Sequence, residues 1–156
     1  MLKTAVIGVG YLGRFHAQKH TALPECELVG VVDSNPEQAR TVGEELGVPW
    51  YTEPDAVWDQ VEAVSIVVPT CAHHSITKPF LERGIHVLLE KPFAASIVEA
   101  EALTTLAEAK GTVLQIGHLE RFNVVYTGFR EHIGKPQFVE SIRIAPFPKR
   151  GTDVDV

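Results

Sequence analysis

The sequence is poor in cysteine: Cys26 and Cys71 are the only two in 156 residues. They form no Cys-x-x-Cys pair, so neither a zinc ribbon nor a thioredoxin-type redox site is written here. A small extracellular scaffold stapled by disulfides would carry more of them, and the expectation is of reduced thiols in a cytoplasm. Positive charge is also short, with 14 Lys and Arg against 20 Asp and Glu and a formal net charge of -6. A nucleic-acid surface needs a basic stripe that displaces counterions. The one basic cluster, Lys149-Arg150, reads as solvated surface. No apolar stretch reaches the roughly 18 residues that a membrane helix requires. The apolar start of the chain is broken by glycines and ended by Arg14 and His16, unlike a secretory signal. Nucleic-acid and membrane partners are therefore not expected.

What is present is a rhythm. Apolar runs over residues 4–9, 27–33, 63–68, 85–89 and 112–116 read as buried parallel strands, and 48–51 as a shorter one. Residues 11–23, 36–46, 73–83 and the Ala- and Glu-rich stretch after Ser96 read as helices, with a short one over 53–60. Pro36 stands at a first helical position, and Gly47, Gly84 and Gly111 stand just past helix ends. Strands alternating with helices, joined by right-handed crossovers, give an α/β Rossmann-type, doubly wound, mostly parallel sheet. After Gly117 the rhythm changes. Residues 120–133 look helical, Gly134-Lys135-Pro136 breaks them off, and 138–144 alternate like a half-exposed strand of an antiparallel sheet. The domains are read as 1–120 and 121–156, the latter the start of a second, α+β domain.

Gly8-x-Gly10-x-x-Gly13 lies between the first strand and the first helix. Gly8 permits the tight turn, Gly10 the approach of a pyrophosphate, and Gly13 close helix–strand packing. The turn and the first helical residues, Gly8, Gly10, Tyr11, Leu12 and Gly13, thus form a candidate pyrophosphate site at a helix N-terminus. Asp33 closes the second strand twenty positions after Gly13. A carboxylate there hydrogen-bonds the ribose 2′-OH of NAD and repels the 2′-phosphate of NADP. NAD is the expected cofactor. The small polar Ser34 and Asn35 leave NADP open, although no Arg follows the acid. The blander reading makes the glycines turn residues and Asp33 a helix cap.

In such folds ligands bind outside the carboxyl ends of the strands. Val68-Pro69-Thr70 follows one strand, with His73 and His74 beginning the next helix. These residues either contact a cofactor or serve as a cap and two surface histidines. The two histidines point in different directions on a helix, so no metal site is expected. Glu90-Lys91-Pro92 follows the next strand, where Lys91 either orients a substrate hydroxyl or is a plain surface lysine. The segment from Gly117 through His118, Arg121 and Asn123 is either a phosphate or sugar site or a capped connector.

Three segments in this order, Gly8 to His16, Pro69-Thr70-x-x-His73-His74 and Glu90-Lys91-Pro92, resemble the Gfo/Idh/MocA (glucose–fructose oxidoreductase / inositol dehydrogenase) family. The resemblance implies that Lys91 is an active-site residue near nicotinamide and substrate. It implies that Val68, Pro69, Thr70, His74, Glu90 and His118 line the cofactor with the glycine turn, Asp33 and Ser34. Gly117 to Asn123 is similar to the branch acting on nucleotide-linked sugars, which points to a sugar or UDP-sugar substrate held by Lys91, Arg121 and Asn123. Family members continue into a second domain whose Asp and His motif supplies the acid/base histidine. That motif is not found before residue 156, so the chain is expected to be part of a longer enzyme and to turn over poorly alone.

The implied activity is hydride transfer between a secondary hydroxyl of a sugar and an NAD(P) cofactor, in a cytoplasmic homo-oligomer. The alternatives are a non-catalytic dinucleotide-binding module that senses redox state, and an enzyme with the same first domain and a different second one. The fold alone does not choose among them.

Overall fold

Six parallel strands form one sheet in the computed structural model, which describes residues 1–140, 142 and 144. In chain order they are β1 (Leu2–Ile7), β2 (Cys26–Val32), β3 (Trp50–Tyr51), β4 (Ala63–Ile66), β5 (His86–Leu89) and β6 (Leu114–Ile116). The helices between them are α1 (Tyr11–Ala22), α2 (Pro36–Leu46), α3 (His73–Glu82) and α4 (Ile97–Lys110), and α5 (Val124–Ile133) follows. The spatial order is β3-β2-β1-β4-β5-β6. This is the doubly wound Rossmann order, and it reverses direction between β1 and β4.

Side-chain alternation along the strands sorts the core into two layers. Val6 and Val31 face one side with Ala17 of α1 and Val42 of α2. Ala5, Ile7 and Val32 face the other with Phe80 and Leu81 of α3 and Leu103 of α4. Phe80 is fully buried, and burial of such a side chain is worth about 1.5–3 kcal/mol. Helix ends follow local chemistry. The Asn35 Oδ1 accepts from the N–H groups of Glu37 and Gln38 ahead of Pro36. Gly47 and Gly111 close α2 and α4 with φ of 67° and 65°, a region that disfavours other residues.

Several elements differ from the sequence expectation. β3 shrinks to two residues at the sheet edge, and the helix expected over 53–60 is a 3-10 turn, Pro54–Val57. The helix expected over 120–133 is interrupted. Leu119–Phe122 forms a 3-10 turn, and Asn123, with φ −63° and ψ 125°, restarts the chain as α5 by accepting the Val125 N–H. A side chain that caps its own following turn competes with helix continuation. Residues 138–140, 142 and 144 are not strand, while 141 and 143, with Lys149-Arg150 and the rest of the C-terminus, lie outside the described residues. The chain divides into two compact units, Met1–Gly117 and His118–Val156.

Candidate cofactor site

The strands end level. Ile7 pairs with Val32 and with Ile66, Ile66 with Leu89, Leu89 with Ile116, and Val32 with Tyr51. The next residue of each strand, Gly8, Asp33, Thr52, Val67, Glu90 and Gly117, therefore stands along one edge of the sheet. That edge, at the reversal between β1 and β4, is where a ligand of this fold sits.

Gly8 has φ 83°, and a Cβ there would overlap the Val67 carbonyl. A Cβ on Gly13 would overlap the Gly8 carbonyl oxygen, so α1 can lie against the turn only with glycine at 13. Gly10 differs: open space surrounds the place its Cβ would take. It is the N-cap of α1, contributes no side-chain acceptor, and is followed by a first turn without acidic residues. Helix N–H groups with such a cap suit an anion.

Asp33 closes the turn from the other side. Its Oδ2 accepts from the Val9 N–H and its Oδ1 from the Asn35 N–H, each at 2.9 Å. A carboxylate oxygen has a second acceptor site, so Asp33 retains capacity toward a ligand. A cleft of about 410 Å³ runs along this edge. Gly8, Gly10, Asp33, Ser34, Val68 and Pro69 line it, joined by Thr52, Glu53, Pro54 and Ile76. The open face at Gly10 and the acidic edge at Asp33 fit a dinucleotide.

The remaining expected residues are placed differently. Gly13 is buried behind the turn, while Tyr11 and Leu12 are exposed on the first turn of α1. Thr70 is buried, and His74 is half-buried on α3. His73 is not the surface residue the blander reading allowed. It is 1% exposed, and its ring nitrogens lie 3.0 Å from the Val68 carbonyl and 3.2 Å from the Phe93 carbonyl. It thereby links the cleft wall to the segment after Lys91.

Glu90 is also buried. Its Oε2 accepts from the Lys91 N–H at 3.1 Å, and its Oε1 lies 3.1 Å from the His16 Nε2. A carboxylate only accepts, so the His16 Nε2–H donates. A Cβ on Gly117 would stand 2.9 Å from Glu90 Oε1, so the glycine leaves room for this carboxylate. Lys91 is exposed, and its bond to Pro92 is cis. Below this row, His20 Nδ1 meets the Thr4 hydroxyl at 2.8 Å and Nε2 meets the Ser65 hydroxyl at 3.0 Å. Burial, and then the neighbouring His16, lower the His20 pKa.

His118, Arg121 and Asn123 belong to the second unit. The His118 carbonyl accepts from the Arg121 N–H, and Asn123 both caps α5 and donates from Nδ2 to Glu120 Oε2 at 2.9 Å. Arg121 lines a 340 Å³ cavity with Glu120, Tyr126 and Arg130. Among the described residues there is no group of three or more His, Cys, Asp or Glu that could hold a metal, and no helix is long and apolar enough to cross a membrane.

Sequence reasoning missed the cleft residues Thr52, Glu53 and Pro54. The strand expected over 48–51 ends at Tyr51, as β3 does, so the rule that singles out Val68 and Pro69 applies equally to Thr52 just past it. It also gave His16 no role, because its partner lies 74 positions away.

Fold and cleft together define a Rossmann dinucleotide-binding domain. Residues 2–118 match the model of the Gfo/Idh/MocA oxidoreductase family, described as having an NAD-binding Rossmann fold, and the chain belongs to that family. It is 42% identical over 156 residues to the UDP-N-acetylglucosamine 3-dehydrogenase of Acidithiobacillus ferrooxidans, covering 99% of this chain and 49% of the relative. The solved structure of that dehydrogenase superposes with a TM-score of 0.90, covering 99% of this chain and 51% of the other. The scyllo-inositol 2-dehydrogenase (NAD(+)) of Bacillus subtilis is 33% identical over 144 residues, 86% of this chain and 42% of the relative. A scyllo-inositol dehydrogenase from Lactobacillus casei, solved with bound NAD(H) and scyllo-inositol, is 25% identical with a TM-score of 0.80, covering 85% of this chain and 41% of that one. The chain thus spans about half the length of the curated relatives it matches. Its first unit is an NAD-binding domain.

Proposed function

We propose that this chain supplies the cofactor-binding domain of an NAD-dependent dehydrogenase that oxidises a secondary hydroxyl of a sugar or nucleotide sugar. One observation carries the reading: the level strand ends put Gly8, Asp33 and Glu90-Lys91 along a single edge. Gly8, Gly10 and the first turn of α1 with Tyr11 and Leu12 hold the pyrophosphate. Asp33 and Ser34 hold the adenine-side ribose, and Val68, Pro69, Thr70 and His74 line the path toward the nicotinamide. NAD held there would supply the hydride acceptor for the reaction. Lys91 would orient and polarise the reacting hydroxyl, and Glu90 fixes the backbone that carries it.

The 42% identity to a UDP-N-acetylglucosamine dehydrogenase supports a UDP-sugar over a free sugar. The reading places the protein in the cytoplasm, where its cofactor is available. It also makes the protein a homo-oligomer, a reading supported by exposed Val124, Val125 and Phe129 of α5.

The test follows NADH formation from NAD⁺ by the protein carrying this domain, offered UDP-N-acetylglucosamine, scyllo-inositol or glucose. Turnover with the nucleotide sugar, abolished in Lys91→Ala while NADH affinity persists, supports the proposal. A Lys91→Ala protein with unchanged turnover overturns the role of Lys91. A protein that binds NADH and oxidises no sugar favours the non-catalytic sensing module.

A further inference from the structure

Gly10 presents a problem that its neighbours solve. A phosphate can approach the turn closely because residue 10 has no side chain, but glycine is also the residue least able to hold its own peptide plane. The peptide unit between Val9 and Gly10 carries the Val9 carbonyl on one side and the Gly10 N–H on the other. The only cis bond among the described residues is Lys91–Pro92, so this unit is trans and its C=O and N–H point in opposite directions. Whatever fixes the carbonyl therefore aims the N–H.

The carbonyl is fixed. Gln38 Nε2 donates to the Val9 oxygen at 2.7 Å, across 29 positions of sequence. The side chain is oriented without ambiguity, because a carbonyl accepts only from the nitrogen end of the amide. The preceding peptide unit is held as well, with the Val9 N–H donating to Asp33 Oδ2 at 2.9 Å. The Val9 side chain is fully buried. Two successive peptides of the turn are thus pinned, one by Asp33 just past β2 and one by Gln38 in the first turn of α2. The Gly10 N–H has no acceptor among the described residues, Gly10 lines the 410 Å³ cleft, and open space lies beside its Cα.

We propose that Gln38 is a positioning residue for the cofactor: by holding the Val9 carbonyl it aims the Gly10 N–H into the cleft as a donor to a phosphate oxygen. The inference rests on the assignment of this cleft to NAD. Gln38 itself touches no ligand. It stands in the first turn of α2, begun by the Asn35 cap and Pro36, so the cap of one helix sets the position from which the N-terminus of another is tuned. Asp33 has a ribose to serve in addition to the turn, whereas among the described residues the Gln38 side chain makes this one hydrogen bond.

The experiment compares wild type, Gln38→Met and Gln38→Glu. Methionine keeps the length of the side chain and removes the donor, and glutamate sets an acceptor against the carbonyl. Gln38 is partly exposed, so neither change opens the core. Calorimetric titrations with NADH are set beside titrations with adenosine, which lacks the pyrophosphate, and the Gly10 amide is followed by ¹H–¹⁵N NMR in the ligand-free chains. Both variants are expected to bind NADH about three- to tenfold more weakly, the effect of one lost hydrogen bond. Adenosine affinity stays within about twofold, and the Gly10 amide resonance moves in the free protein. NADH affinity equal to wild type overturns the inference, as does an equal loss for adenosine, or a Gly10 resonance that does not move. A wild-type chain that binds adenosine but no NADH fails the cofactor assignment first, and the inference with it.

Discussion

The imidazole of His16 and the carboxylate of Glu90 meet at 3.1 Å and join the helix that follows the glycine turn to the end of β5. The same carboxylate accepts the Lys91 N–H. The helix that follows the turn and the backbone of Lys91 are therefore joined through one carboxylate.

Glu90→Leu should uncouple them. It leaves the His16 ring N–H and the Lys91 N–H without their acceptor, at about 1–3 kcal/mol for a buried group. Thermal melting should show a fall of several degrees, while Glu90→Gln, whose single amide oxygen still accepts one of the two hydrogen bonds, should fall less. Gly117→Ala should resemble Glu90→Leu, because its Cβ would occupy space held by the Glu90 carboxylate. Melting temperatures equal to wild type in all three variants would show that the unit contributes nothing to stability.

The glycines of the turn should separate fold from binding. Gly13→Ala drives a methyl into the Gly8 carbonyl, and overpacking of this kind costs about 1–3 kcal/mol. Gly10→Ala meets nothing in the protein, and φ −63° suits alanine. Its stability should be unchanged or raised by up to about 1 kcal/mol. Its NADH affinity should nevertheless fall at least about tenfold, because the methyl stands where the pyrophosphate approaches. Urea denaturation and calorimetry on the two variants check both halves of the prediction.

These elements show what a sequence can and cannot display. Pro36, Gly47 and Gly111 mark helix ends because their backbone constraints are intrinsic, and those ends fell where the residues put them. The glycine turn and Asp33 were legible because spacing alone encodes their geometry. β3 was overextended because its apolar residues resemble a longer strand, whereas only Trp50 and Tyr51 pair with β2. His73 was underrated because its partners are backbone carbonyls, which every residue has and no sequence pattern distinguishes. Gln38 was invisible for the same reason.

His20 should make stability depend on pH. Its pKa in the fold lies below the ordinary 6.5, first through burial and then through His16. Between the folded value and 6.5 the unfolded chain binds a proton that the folded chain does not, so stability rises with pH there. The contribution is complete above pH 6.5 and is lost as pH falls through the folded value. Urea denaturation at a series of pH values should show that decline in wild type and a shallower one in His20→Gln. Identical slopes would contradict the assignment.

The central claim is that this edge binds NAD through Asp33, and titration of the purified chain with NADH and NADPH, repeated with Asp33→Ala, tests it most directly. The account predicts saturable NADH binding, weaker NADPH binding, and loss of that preference in the variant with at least about tenfold weaker NADH affinity, as for a charge-assisted hydrogen bond. Failure of the wild-type chain to bind NADH, or a preference for NADH that survives the loss of Asp33, would contradict it.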